Sequence, residues 1–403
     1  MSRFLANHAI PFVAVLEPAQ DAVRAALVER PGPLALVVHD WCQFALPHAA
    51  KRDRHTRTGP HDVGYELGSA LIVDAADGTP LGPMELRLRT ADGLLSTRLH
   101  ASLDADPPAH IDELLGDMKA SRHWGLDRDL VHVIDREADS VGHYRTWHAA
   151  GHRFVVRANA TRVVTHAGGE HKLSAVVGQW ACEFQAVRDD QVRPRVVAVR
   201  GGAGVLTVAE TEVILTRPAR RNRADGGREA IPGPPIPLRL VVTRVVNELG
   251  VVLAEWLLFT NVPAGVADAA TVGTWYSWRW RIETYHKLLK TAGMNAEEWG
   301  QETGARFLRR LCVASLACLT AWRLQREESP EAVRLKAVLV RLSGRVMTHR
   351  VASTASALLA GLEKLLAVED LLQDENLGEI LVLARTLLPH LFARQRKPPV
   401  TKL

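Results

Sequence analysis

Two rhythms of apolar positions divide the chain. Near the start, PAQDAVRAALVER carries apolar residues at helical spacing, with Pro18 in what reads as a first turn. After the turn PGP, LALVVHD is an unbroken apolar run ending in Asp40, the pattern of a strand buried on both faces. YELGSALIVD and MELRLRT, separated by the turn segment AADGTPLGP, read as two further strands. HIDELLGDMKASRHWG is an amphipathic helix, and DLVHVIDREAD is again an apolar strand, with Asp135 at its end. A short helical stretch and the strand RFVVRA complete an order of three strands, helix, strand, helix, strand. That order predicts a five-stranded mixed sheet flanked by helices, an α/β fold.

Beyond residue 158 the pattern changes. TRVVTH, RPRVVAVR and RLVVTRVVN are β-branched segments broken by GGAG and IPGPPIP, which predicts an inserted β-rich subdomain. Helical periodicity returns near residue 264 and runs through SALLAGLEKLLAV and NLGEILVLARTLLPHLFARQ. The expected organisation is a helical segment at 1–30, a core in two parts at 31–158 and 251–300, the insertion at 159–250, and a C-terminal helical region at 301–403 suited to dimerisation.

Composition narrows the class. Of 403 residues, 47% are hydrophobic and 24% charged, so the chain is expected to fold rather than stay disordered. It has no signal-like start and no long apolar span, which predicts a cytoplasmic protein without a membrane partner. The four cysteines form no C-x-x-C pair and are read as reduced structural thiols. His48, His55 and His61 share a loop-like stretch without ligand spacing, so zinc is not expected. The net charge of +5 tilts toward a polyanionic partner. RPARRNRADGGR, with Arg217, Arg220, Arg221 and Arg223, reads as a mobile basic loop that a phosphate backbone would fit.

Three carboxylates stand out. Asp40 and Asp135 each follow an apolar strand, a position that brings side chains to the carboxyl edge of a sheet. Glu283 is the lone acid in WYSWRWRIETYHKLLK, where Tyr276, Arg279, Glu283 and Lys290 share one helical face with Lys287 close by. Such a face is either a surface salt-bridge lattice or one metal ligand among cations that hold phosphates. Hard Mg²⁺ needs few carboxylates, and two such ions about 4 Å apart suit an in-line phosphodiester displacement. Trp275, Trp278 and Trp280 read as packing residues.

The spacing Tyr276-x2-Arg279-x3-Glu283-x6-Lys290 resembles the YREK signature of bacterial cut-and-paste DDE transposases of the insertion-sequence-four type. VIDREAD around Asp135, and RFVVRA beginning 18 residues later, are similar to that family's second-aspartate region. So is the spacing of 95 positions from Asp40 to Asp135 and 148 from there to Glu283. The resemblance runs from about residue 10 to at least residue 326 and implies an RNase H-like catalytic core. It implies Asp40, Asp135 and Glu283 as ligands of Mg²⁺, for which Mn²⁺ can substitute. It also implies end nicking, hairpin formation and resolution, and joining to target DNA. Tyr276, Arg279 and Lys290 are then expected to hold transposon-end DNA, Arg157 the hairpinned end, and Trp256 a flipped base. The implied partners are double-stranded DNA and a second subunit in a synaptic homodimer, in a nucleoid-associated bacterial protein. Only 39 residues precede Asp40, fewer than the family's helical DNA-recognition domain needs. That leaves two other readings: a truncated, non-catalytic regulator of a full-length transposase, and a structure-selective nuclease on the same core.

Overall fold

The computed structural model describes residues 2–46, 53–56, 63–98, 110–179, 184–189, 193–222, 227–348, 351–374 and 377–387. Two compact units divide the chain, residues 1–320 and 321–403.

The first unit is built on a large mixed sheet. At its centre is β1, Leu34–Ala45, whose residues 35–38 are fully buried. On one side β1 pairs antiparallel with β2, Val63–Asp74, which continues to β3, Pro80–Thr90, and β4, Gly93–Ser96. On the other side β1 runs parallel to β5, Asp129–Ile134, and β5 parallel to β6, Arg153–Arg157. Parallel neighbours need crossover connections, and α2, Glu113–Ser121, and α3, Val141–Ala149, lie in those connections. The expected five-stranded mixed arrangement is therefore present as β3-β2-β1-β5-β6.

The sheet does not stop there. Three long antiparallel strands, β7 (Gly202–Leu215), β8 (Ile236–Val246) and β9 (Val252–Thr260), extend it, with β9 pairing onto β6. The predicted β-rich segment thus adds strands to the same sheet that holds β1.

Side-chain alternation gives the sheet two chemically different faces. One carries His39, Glu85, Arg87, His132, Phe154 and Phe259 and is covered by α2 and α3 through a core that includes Tyr144 and Trp147. The charged members of that face are buried because they pair: Arg87 with Glu113 and Asp117, and Arg98 with Glu85 and Asp117. The opposite face carries Asp40, Ser69, Arg157 and Trp256. It lies under α4 (Ala269–Ser277) and α5 (Trp280–Lys287), and Phe307 near the start of α6 (Gly304–Arg326) packs on Phe44 and Tyr65.

The first long helix, α1, is Phe12–Val28, so Pro18 lies in its second turn and not in its first. A proline there removes one backbone hydrogen bond, but the buried stripe Val15, Leu16, Ala19, Val23 and Leu27 holds the helix. Gln20 adds a hydrogen bond to the Met84 carbonyl at 2.8 Å.

In the second unit, α7 (Pro330–Ser343) starts with the Ser329 hydroxyl accepting the Ala332 N–H and stops at Gly344 in the left-handed region. α8 (Ala355–Asp374) crosses α7 at Gly361, where a β-carbon would stand 2.2 Å from the Leu339 carbonyl oxygen. The last helix, α9, is Leu377–Leu387. Cys42, Cys312 and Cys318 are free thiols, while Cys182, His48 and His61 lie outside the described residues.

The turn between β2 and β3 anchors the helices that carry the site. Trp275 Nε1 donates to the Ala75 carbonyl at 3.0 Å, and Arg281 Nε donates to the Gly78 carbonyl at 3.1 Å. Gly78 has φ of 72°, and a β-carbon there would stand 2.4 Å from the Trp278 indole. Gly78→Ala is expected to cost about 2 kcal/mol, from backbone strain plus overpacking. It should appear as a lower urea midpoint at unchanged slope. An unchanged midpoint would mean that the turn and the helix are not in contact.

Candidate active site

Asp40 and Asp135 occupy equivalent places on neighbouring parallel strands. The parallel register ends at Val38 opposite Val133, and each aspartate lies two residues further on, facing the same side. Asp135 follows the last residue of β5, as the apolar run predicted. Asp40 does not end its strand: β1 continues to Ala45, because β2 keeps pairing with it. The following residue, Trp41, turns to the opposite face and packs against the core there. Its backbone N–H supports the acid, donating to Asp40 Oδ1 at 3.0 Å. The Asp135 carboxylate accepts the Glu137 N–H at 2.7 Å, which caps a short 3₁₀ turn.

Glu283 reaches this edge from α5. The single helix expected over 275–290 is in fact three pieces: α4, α5 and a π turn at Leu288–Ala292. Between the first two, N–H groups bond three residues back, Arg279 to Tyr276, Arg281 to Trp278 and Ile282 to Arg279, which tightens the chain locally. The π turn adds slack at the other end. As a result Tyr276, Arg279 and Glu283 converge, whereas Lys290 is drawn to the end of β1. Its amine donates to the Gln43 carbonyl at 2.6 Å and pairs with Glu297 at 3.3 Å.

Arg279 is the centre of the cluster. Its Nη2 donates to Glu283 at 2.8 Å, and its Nη1 lies 3.5 Å from Asp40 Oδ2. The Tyr276 hydroxyl is its third partner. Burial works against the charge on this 8% exposed side chain, but Tyr276, Asp40, Glu283 and Asp135 outweigh it and hold its pKa above the ordinary value. Asp40 and Glu283 contact this guanidinium and Asp135 acts on it through space, so these four groups fully ionised carry a net charge of about −2, with Arg157 facing them. Asp40 responds to its burial and to these neighbours. Its pKa is pushed up to about 6, mainly by burial and further by Asp135 and Glu283, against the pull of Arg279 and the Trp41 N–H.

An all-carboxylate donor set with an uncompensated buried acid fits a hard divalent cation such as Mg²⁺. Among the described residues, no three His, Cys, Asp or Glu side chains are gathered closely enough to hold a metal ion as they stand. Arg279 stands between two of the acids, so closing the set around a metal requires the guanidinium to move.

The remaining predicted residues divide into three groups. Arg157, at the end of β6, faces the cluster and acts electrostatically on Tyr276. Tyr276 and Trp256 are 2% and 5% exposed, with ring centroids 5.7 Å apart, so as it stands the Trp256 indole is a core side chain. Lys287 and Arg220 are exposed. The basic segment is not an open loop: Ala219–Asn222 pairs with Arg228–Ile231 as a two-stranded ribbon. Arg217 is ion-paired with Glu170 at 2.7 Å. Arg223 and the Arg221 side chain lie outside the described residues.

Other side chains escaped the sequence pattern. His286, in the same basic stretch, is buried against Ser69 at 3.1 Å, and burial lowers its pKa to about 3. It is therefore a neutral packing group; its position three residues after Glu283 on an inward helical face is the signal that could have shown this. Trp280, expected to pack, is 50% exposed beside Arg279. Glu297 accepts the Ala45 N–H at 2.9 Å and fixes the end of β1. Next to Asp135, a polar cavity of about 470 Å³ is lined by Arg136, Asp139, Asn159, Arg162, Arg217 and Arg220. No helix among the described residues is long and apolar enough to cross a membrane.

No family model matches the chain. Among solved structures the chain is similar to a piggyBac transposase in a cryo-EM synaptic complex with hairpin DNA, with a TM-score of 0.29 and 9% identity. The match covers 79% of this chain and 61% of that one. A score of that size does not establish a shared fold.

Asp40 gives the cluster a stability signature. Unfolded, the acid ionises near its ordinary value of 3.8; in the fold it keeps its proton until about pH 6. Protonation therefore favours the folded chain, and this contribution is lost as pH rises through that window. Measured against Asp40→Asn, the wild-type chain should lose on the order of 2 kcal/mol between about pH 4 and pH 7. A difference that stays flat with pH would mean that Asp40 is solvated.

Proposed function

We propose that the protein is a DNA transposase of the DDE type with an RNase H-like core, acting on double-stranded DNA at transposon ends and joining it to target DNA. The observation that carries this reading is the convergence of Asp40, Asp135 and Glu283, from two parallel strands and one helix, on the single guanidinium of Arg279. A structural ion pair needs one acid per cation; three acids around one cation, next to an arginine-lined cavity, suit phosphodiester chemistry better.

In this reading Asp40, Asp135 and Glu283 hold Mg²⁺, which supplies activation of the attacking water or 3′ hydroxyl and stabilises the leaving oxygen. Arg279 leaves the acids for a phosphate of the end DNA, so substrate arrival and opening of the acid cluster are one event. Tyr276 and Arg157 keep the guanidinium oriented on the inner side. Lys287, Arg136 and Arg220 offer exposed cations to the phosphate backbone on the outer side. Lys290, held by Glu297, reaches DNA only on breaking that pair. Receiving a flipped base at Trp256 requires the Tyr276 ring to move aside.

A non-catalytic regulator is the second reading, favoured by the fact that the acids are not gathered into a metal-holding set as they stand. Cleavage of DNA bearing the element's inverted repeats separates the two. The wild-type chain with Mg²⁺ should nick and join it, and Asp40→Ala, Asp135→Ala and Glu283→Ala should each lower the rate by about a thousandfold while binding persists. Tight end binding without cleavage by the wild-type chain would select the regulator. Cleavage retained in all three variants would rule out the acid site.

Salt dependence tests the backbone contacts independently. Lys287→Ala and Arg220→Ala should each reduce the slope of log affinity against log salt by about 0.9, equally for specific and unrelated sequences. A loss of sequence preference with unchanged slope would mean that they read bases instead.

A further inference from the structure

The opposite end of the same parallel strands carries a second polar cavity, of about 340 Å³. It opens where β5 and β6 begin and α2 ends, lined by Arg122, Arg128, Asp129, His132, His152 and Arg153 among others. The acid cluster lies past the carboxyl ends of those strands, so the two sites are separated by the length of the sheet.

We infer that this cavity is an anion site for a phosphate dianion, with Arg122, Arg128 and Arg153 as its cations and His152 as a buried hydrogen-bonding partner. Each guanidinium is fixed in place by part of its donor set. Arg122 donates to the Ala150 carbonyl; Arg128 donates to the Leu27, Arg30 and Asp127 carbonyls at 2.9, 2.8 and 2.8 Å; Arg153 donates to Asp129 at 2.8 Å. An arginine has five N–H donors, so Arg128 keeps two and Arg122 and Arg153 keep four each for a ligand. Among the described residues no carboxylate pairs with Arg122 or Arg128. Three guanidinium groups face one carboxylate, Asp129, which leaves a charge of about +2 around the cavity with neutral imidazoles.

The second observation concerns the histidines. His152 is 5% exposed, yet its Nε2 has no hydrogen-bond partner among the described residues. A buried polar atom left without a partner is costly, and the residue that carries it lines the cavity. His132, its ring centroid 5.8 Å away, is already engaged through Nδ1 with His39 Nε2 at 2.9 Å. Burial and then the nearby cations Arg122 and Lys119 press the His152 pKa down to about 4, so its ring can donate or accept while neutral. A metal cation is disfavoured because three guanidinium groups surround the imidazoles. A phosphate group is favoured because its oxygens match several guanidinium forks at once. The volume also admits more than the inorganic ion, such as the sugar of a nucleotide.

The test uses the full chain and calorimetric titration with inorganic phosphate, a deoxynucleoside 5′-monophosphate, and one oligonucleotide with and without a 5′-phosphate. Saturable binding at one site per chain is expected, weakened by about tenfold or more in Arg122→Gln and Arg128→Gln. The His152 ring resonances of the wild-type chain should move with the same midpoint, a readout that does not depend on any variant folding. Binding of inorganic phosphate and the monophosphate supports a free phosphate or nucleotide as ligand. Binding of only the 5′-phosphorylated oligonucleotide supports a DNA terminus. Asp135→Asn should bind phosphate as the wild type does, so this result stands apart from the fate of the transposase reading. No saturable binding of any of the probes, or binding undiminished in both arginine variants with unmoved His152 resonances, would overturn the site.

Discussion

A buried guanidinium with too many acids around it organises the first unit. Arg279 can be buried only because Tyr276, Asp40, Glu283 and Asp135 compensate its charge, and the acids can approach one another only because Arg279 lies among them. That mutual requirement fixes the orientation of α5 over β1 and β5 and explains the tightened backbone just before α5. A continuous helix with four-residue bonds would place Tyr276, Arg279 and Glu283 differently over the sheet. The arrangement is locally neutralised but not balanced, and Asp40, its pKa raised first by burial and then by Asp135 and Glu283, is the acid that responds.

The other face of the sheet solves the opposite problem. There Arg87, Arg98, Glu85, Glu113 and Asp117 are matched closely enough for burial, with His39 Nδ1 3.5 Å from Asp117. Charges matched in this way contribute little net stability over apolar residues, but they define which helix sits on which strands. The same strands therefore carry a buried, ion-paired network on one side and an acid-rich cluster on the other. At the sheet's amino edge this side continues through His39 to His132 and His152.

Much of this was readable from the chain. Continuous apolar runs ending in Asp40 and Asp135 gave central parallel strands, because strands buried on both faces leave no polar alternation to mislead the eye. Glu283 was legible from its helical neighbours. The breaks in that helix were not, since whether an N–H bonds three, four or five residues back depends on packing and leaves no mark in side-chain pattern. Pro18 marked a start that tertiary packing of α1 moved upstream. The fates of the bases were hidden for a different reason. Arg217 meets Glu170, and Lys290 meets Glu297, only after the chain has folded, and His286 loses its charge only once covered. Arg136 and Arg162 were passed over because nothing local distinguishes an arginine beside a cavity from one in solvent.

β1 alternates between the two faces one residue at a time: His39 looks toward Asp117, Asp40 toward Arg279. An inserted or deleted residue upstream of Asp40 within this strand would exchange the two sides along its remaining length, presenting an imidazole to the guanidinium and a carboxylate to the buried ionic network. Substitutions in β1 can be graded by size and polarity, whereas a change in its length is all or nothing. Evolution of this chain can therefore lengthen its turns and its ribbon, but the residue count of the central strand is closed to it.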